Sequence, residues 1–196
     1  MSTERQQEII DTSLEIISEL GIQGLTIKNL SKRIGISEPA IYRHYDNKIS
    51  ILIGILDYFR HNGEQMFSKL AASNDSPLQK IESIFQEHFK AFRRNPSLVS
   101  VIFSEEIFRN EPLLLEKIRS IMEKNSSVVM ELVKEGQLKG EIKTGFEPGY
   151  LTIIIIGALR MMVKKWQIGD ESFNNREEVD RLFGTIRGLV QNTRLQ

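Results

Sequence analysis

The stretch Leu25–Ser50, LTIKNLSKRIGISEPAIYRHYDNKIS, constrains this chain more than any other, because it reads as two short helices joined by a tight turn at Gly35-Ile36-Ser37. Thr26 stands where it can cap the first helix, and Ile27, Leu30 and Ile34 recur at helical spacing along one side. Gly35 stops that helix, since glycine adopts positive φ without steric cost. Ser37 occupies the cap position of the second helix, and Pro39 falls in its first turn, where no backbone donor is missed. Ile36, Ile41 and Tyr45 are expected to face back to the first helix. Glu38, Ala40, Tyr42, Arg43 and His44 then lie on the other side, a set able to hydrogen-bond, stack or make van der Waals contact in a major groove. A structural αα-corner has the same outline, so shape alone is a weak signal.

The residues inside that outline are more specific. Thr26 to Tyr45, TIKNLSKRIGISEPAIYRHY, followed by Asp46-Asn47-Lys48, closely resembles the DNA-binding signature of the TetR family of bacterial transcriptional regulators. Ile9–Leu20 is similar in position and length to that family's first helix, and the long helical pattern after Lys48 to its connector. Glu135–Ile142 (EGQLKGEI) and the apolar helix ending near Trp166 look like the C-terminal pattern of many members. Ser31 departs from the alanine usual in the family, and is small enough to preserve a close helix contact.

The resemblance implies an all-α fold: a three-helix DNA-binding domain over residues 1–46, joined by a long helix to a helical effector-binding and dimerisation domain over residues 47–196. It implies a homodimeric, ligand-responsive repressor that binds a near-palindromic double-stranded DNA operator and is released by a small-molecule effector. A chromosome-binding role in DNA organisation or cell division, as in some members, is the neighbouring reading. The resemblance also places phosphate contacts at Thr26, Ser37 and Tyr42. Lys48, in the first turn of the long helix, joins them on physical grounds, because free backbone donors and the dipole favour an anion there. For base edges the residue types point to Ala40, Tyr42, Arg43 and His44, with Lys28 as a further candidate: arginine suits guanine, and a small apolar side chain suits a thymine methyl.

Net charge tests the DNA reading. The 196 residues carry 26 Lys and Arg against 26 Asp and Glu, a formal balance of zero, whereas phosphate neutralisation needs cations. Distribution answers the objection. Between Thr26 and Lys48 stand Lys28, Lys32, Arg33, Arg43 and Lys48 against only Glu38 and Asp46.

The remainder is a succession of helical patterns with no hairpin signal or repeat. Asn47 is placed to cap a long helix with the stripe Leu52, Ile55, Leu56, Phe59, Gly63, Met66, Phe67 and Leu70, reaching about 36 Å at 1.5 Å per residue. Ser76-Pro77-Leu78-Gln79 reads as a capping box, and the helix it opens carries Leu78, Ile81, Phe85, His88 and Phe92. A segment from Asn95-Pro96 through Phe108 follows. Asn110-Glu111-Pro112 opens another long helix, striped by Leu114, Ile118, Ile121, Met122, Asn125, Val128, Val129 and Leu132 and expected to close at Gly136 and Gly140. Tyr150–Val163 is apolar all round, which implies burial on more than one face. It spans about fourteen residues and contains Arg160, short of the roughly twenty a membrane span needs. The last stripe is Val179, Leu182, Phe183, Ile186 and Val190. By the resemblance these two late helices form a four-helix dimer interface, with Gly157 and Ile186 packed against their copies.

The same resemblance implies an effector pocket in the second domain. His88 and Asn125 interrupt apolar stripes, and Arg109, Tyr150, Arg160 and Trp166 are polar or amphipathic beside apolar helices. Each has a plainer reading as a hydrogen-bonded core or ion-paired residue. Met66, Met122, Met161 and Met162 suit adaptable packing better than metal ligation. No cofactor or metal is expected.

A helical-bundle enzyme is the reading from another class. A di-iron carboxylate site needs Glu-x-x-His on two helices, but none of His44, His61 and His88 follows a Glu at that spacing. No P-loop, dinucleotide fingerprint, nucleophile elbow or metalloprotease motif is present, so no catalytic residue is assigned. The chain lacks cysteine, and its polar start, MSTERQQEII, lacks the apolar run of a signal peptide, which sets a cytoplasmic expectation.

Overall fold

The computed structural model describes residues 3–103, 110–169 and 176–192. Among them nine helices follow in order: α1 (Glu4–Gly24), α2 (Ile27–Ile34), α3 (Glu38–Tyr42), α4 (Lys48–Ala71), α5 (Pro77–Arg94), α6 (Pro96–Ile102), α7 (Pro112–Leu138), α8 (Pro148–Gln167) and α9 (Arg176–Val190). The one β-type pairing among the described residues is the antiparallel bridge Ile142–Gln191. The all-α expectation therefore holds, and Leu151–Ile156 is helix despite its β-branched run.

Local chemistry sets most helix starts. Thr3 and Gln6 form a reciprocal capping box at α1, whose course breaks at Gly21, where φ is 68°. Asn47 and Ser50 make the same kind of box for α4: the Ser50 N–H donates to Asn47 Oδ1 at 2.9 Å, and the Asn47 N–H to Ser50 Oγ at 3.1 Å. At α5 the Ser76 N–H donates to Gln79 Oε1 at 2.8 Å, as the sequence pattern predicts. Glu141 adds what the pattern did not contain. Its carboxylate accepts from the Ser76 hydroxyl and from the Leu78 N–H, so a negative charge sits at the positive end of α5.

The chain forms two compact units. One is built from Met1–Asn62 and Asn95–Arg119, the other from Gly63–Arg94 and Ser120–Gln196. In the first, α1 packs against α2 and α6, and α2 against α3. In the second, α5, α8 and α9 pack on one another around a core that includes Ile81, Phe85, Val133, Ile142, Leu151, Ile155, Phe183 and Ile186. Phe85 and Phe183 meet edge to face with centroids 5.4 Å apart.

Four expectations are corrected in the second unit. Gly136 does not stop α7, which runs on to Leu138. A Cβ there would stand 2.6 Å from Ile142 Cδ1, so the missing side chain makes room for Ile142, and Gly140 at φ 71° ends the helix. Met122 lies on the exposed side of α7. The helix α8 buries only one side within its own chain, through Leu151, Thr152, Ile155, Met162 and Val163. Ile153, Ile154 and Met161 are 66%, 54% and 63% exposed. Ile186, expected to meet a second copy, is 4% exposed inside this chain's own core.

His88 is buried on α5 between Phe67 and Phe92, with ring centroids 6.3 and 6.2 Å away, and its Nδ1 donates to the Ile84 carbonyl at 2.9 Å. Burial holds its imidazole below the ordinary histidine range, against smaller opposing effects of that hydrogen bond and of the Glu87 charge. A depressed pKa means the unfolded chain takes up the proton first. Stability contributed by the neutral ring is complete above about pH 6.5 and is lost as pH falls below it. Thermal melts from pH 7.5 to 5.5 are expected to show a drop that His88→Leu reduces. An identical slope in the variant would assign the drop to other groups.

Candidate nucleic-acid interface

The helix-turn-helix is assembled from short-range bonds. The Thr26 hydroxyl accepts from the Asn29 N–H at 3.1 Å and opens α2; Gly35, at φ 79° and ψ 30°, closes it by donating its N–H to the Ser31 carbonyl at 2.9 Å. Leu30 and Ile41, each 0% exposed, form the contact side of α2 and α3. Ser31 is buried as well, its hydroxyl donating to the Lys28 carbonyl at 3.0 Å, which accommodates the departure from alanine. Asn29 Nδ2 ties α2 to the end of α1 through the Gly24 carbonyl at 2.8 Å.

The second helix differs from the sequence reading in two respects. Ser37 sits at the cap position with extended backbone, but its hydroxyl makes no capping bond. Pro39 is the reason: it removes the N2 donor, while the next donor, Ala40 N–H, goes to the Ser37 carbonyl at 2.9 Å. The helix also ends at Tyr42, so Arg43 and His44 belong to a turn whose N–H groups at His44 and Tyr45 both return to the Ile41 carbonyl.

Thr26, Lys28, Ser37, Tyr42 and Arg43 are exposed, and Ala40 and His44 partly so. Tyr42 is 48% exposed. Tyr45 packs inward as expected; its hydroxyl lies where a Cβ on Gly54 would come within 3.0 Å. Burial, and then the Asp57 carboxylate, push its phenol above the ordinary range.

Two of the five cations counted in the sequence are engaged within the protein. Arg33 donates to both Glu19 carboxylate oxygens, at 3.0 and 2.6 Å, with Glu15 at 4.0 Å. That bidentate hydrogen bond, more than the bare charge, lowers the Glu19 carboxyl and raises the Arg33 guanidinium. Lys48 Nζ donates to the Ile22 carbonyl at 2.6 Å, just past the Gly21 break, and burial pushes its ammonium below the ordinary lysine range. Lys28, Lys32 and Arg43 remain at the surface.

The effector candidates are spread out. His88 is in the core; Asn125, Arg160 and Trp166 are partly buried; Tyr150 is exposed at the start of α8. Arg160 reaches Met122 Sδ at 3.5 Å. Arg109 lies outside the described residues. No cluster of three or more His, Cys, Asp or Glu that could hold a metal occurs among the described residues, and no helix among them is long and apolar enough to cross a membrane.

Comparison with known proteins agrees with this geometry. Residues 9–55 match the model for bacterial regulatory proteins of the tetR family, and residues 61–188 match the C-terminal region of YsiA-like proteins. The chain is 23% identical to the fatty acid metabolism regulator protein of Bacillus subtilis (strain 168), over 87% of each chain. It is 22% identical to the nucleoid occlusion factor SlmA of Vibrio cholerae, over 95% of this chain and 96% of that one. It superposes on the transcriptional regulator FadR from Bacillus subtilis, solved in complex with stearoyl-CoA, with a TM-score of 0.76 at 22% identity, over 93% of this chain and 96% of the other.

Proposed function

The chain belongs to the TetR family of bacterial regulatory proteins, and from that premise we propose that it acts as a homodimeric repressor whose effector is a long-chain acyl thioester. It is a ligand-responsive DNA-binding transcriptional regulator. Residues 1–46 supply the DNA-reading part and residues 47–196 the effector and dimerisation parts. Thr26, Ser37, Tyr42 and Lys48 touch phosphate; Ala40, Tyr42, Arg43 and His44 touch base edges, with Lys28 beside them. The chain carries out no catalysis.

The observation that carries the dimer is the bare side of α8. Ile153, Ile154 and Met161 are exposed there, Leu189 of α9 is 62% exposed, and Gly157, Gly184 and Gly188 face open space. Large apolar side chains interleaved with glycines suit close helix packing against a second copy. Two copies hold two reading heads for two half-sites, which one small module binds too weakly alone.

The acyl class follows from the fatty acid regulator and the stearoyl-CoA complex among the relatives. Phe67 and Phe92 beside His88 offer an apolar setting for a chain, and the His88 imidazole is the polar group within it. Release requires that the effector bind the DNA-free arrangement more tightly than the DNA-bound one. The test is fluorescence anisotropy on the duplex upstream of the protein's own gene. Micromolar stearoyl-CoA should release the DNA while free CoA does not. DNA binding that no acyl chain length alters would overturn the effector class and leave the DNA reading standing.

The SlmA relative, a nucleoid occlusion factor, favours a second reading: a chromosome-binding role in DNA organisation or cell division. Genome-wide immunoprecipitation separates the two: a few peaks upstream of genes support the repressor, and sites spread along the chromosome the alternative.

Tyr42→Ala and Lys48→Ala are both expected to weaken DNA binding, but with different side effects. Tyr42 is a surface side chain, so its loss should leave the melting temperature within a degree or two, in line with the small effects of surface substitutions. Lys48→Ala also removes the bond to Ile22 and should cost about 1 kcal/mol of stability. Melts run beside anisotropy measure both, and a Lys48→Ala protein that melts like wild type would show that the carbonyl contact is incidental.

A further inference from the structure

Glu38 is the first residue of α3 and is exposed, one helical turn before Tyr42 on the same face. An acid at this place works against DNA binding in general, because the duplex surface is lined with phosphates. Glu19 and Glu15 on α1 face Arg33 within the protein, whereas Asp46, the other acid of the motif, is exposed beyond the end of α3. The Glu38 side chain has no hydrogen bond or ion pair among the described residues.

The carboxylate does favour the helix start through the dipole, but α3 has five residues, and that effect would be met equally by an acid turned from the DNA. In a helix-turn-helix the N-terminal residues of the second helix approach the base edges. An ionised carboxylate there can only accept. In the major groove cytosine presents a donor alone, its N4 amino group; adenine sets its N6 amino donor beside the N7 acceptor, and guanine and thymine offer acceptors, which repel a carboxylate.

Resting on the DNA-reading function above, we infer that Glu38 selects a cytosine in each operator half-site by accepting from its N4 amino group, and that its charge disfavours all other duplexes. The residue thus acts with opposite signs on the two kinds of DNA. On the right sequence it forms a charge-assisted bond; elsewhere it leaves a carboxylate facing phosphates or carbonyl oxygens.

The experiment is selection from a random duplex library with the full-length protein, wild type beside Glu38→Gln and Glu38→Ala. Wild type should yield a two-fold motif with a fixed cytosine in each half. Glu38→Gln should move that one position toward adenine, because an amide pairs with adenine N6 and N7; Glu38→Ala should leave it unspecified. Both variants should bind unrelated duplex more tightly than wild type. Replacing the selected cytosine by 2-pyrimidinone, which lacks the amino group, should weaken wild type about tenfold or more and leave Glu38→Ala unchanged. A helix-stabilising role alone would shift the melting temperature and leave the motif intact. If all three proteins select one motif, the assignment of Glu38 is overturned while DNA reading stands; if wild type enriches no sequence, the DNA reading itself fails and this inference with it.

Discussion

A glutamate at Gly157 is expected to leave a folded monomer that no longer holds its operator. Gly157 is exposed on α8, a Cβ there meets nothing within 4 Å, and Ile153, Ile154 and Met161 surround it on the bare side of the helix. Within one chain the substitution is harmless, and replacing a mid-helix glycine favours the helix by up to about 1 kcal/mol. In a two-fold dimer the charge is buried twice without a partner, at several kcal/mol per copy. Light scattering at micromolar concentration should report the monomer, circular dichroism should be unchanged, and operator affinity should fall at least a hundredfold. A dimeric Gly157→Glu protein would move the interface elsewhere, and a monomeric wild type would remove the premise.

Ile186→Glu should fail in a different manner: the chain should not fold. Ile186 lies on α9 within the core that includes Ile81, Phe85, Phe183 and Val190. The neighbouring Arg187 is already engaged, held by Glu82 and lying over the Phe183 ring, 5.5 Å from its centroid. An unpaired charge there costs about 3–5 kcal/mol or more, and the lost packing adds to it. Against a typical total stability of about 5–15 kcal/mol, most of the protein should be unfolded or insoluble at 37 °C. Ile186→Val should melt only slightly early, at a cost of about 0.5–1.5 kcal/mol. A soluble Ile186→Glu protein with a wild-type melting curve would sink the assignment of this residue to the core.

The contrast between these two residues shows what the sequence could carry. Both lie on late apolar helices, and periodicity marks each as a packing position, but it does not say whether the neighbour is another helix of the same chain or a second copy. Short-range features fared better. Thr26 over Asn29, Asn47 over Ser50 and Ser76 over Gln79 are settled by groups three residues apart, so the pattern of residues contains the whole cause. Ser37 departs from the pattern for an equally local reason: the Pro39 ring fits the first turn but removes a donor that a capping hydroxyl would accept from. Glu141 at the start of α5 and Arg33 on Glu19 are long-range meetings. They depend on where helices lie, and nothing in the spacing of the residues announces them. Lys48 is intermediate: its place at the start of α4 is plain from Asn47, but its Ile22 contact follows from the break at Gly21.

The discontinuity of the first compact unit has a practical consequence for dissecting the protein. The compact unit that holds the recognition motif includes α6, which packs on α1 although it follows α4 and α5 in the chain. A fragment ending with α4 would carry the whole recognition motif, yet it would leave bare the part of α1 that α6 covers, on a helix that buries Ile9, Ile10, Leu14, Ile16 and Ile17. The head is therefore no detachable cassette. Grafting its specificity onto another scaffold calls for transplanting side chains of α2 and α3, because excising the segment would trade a soluble surface for an adhesive one.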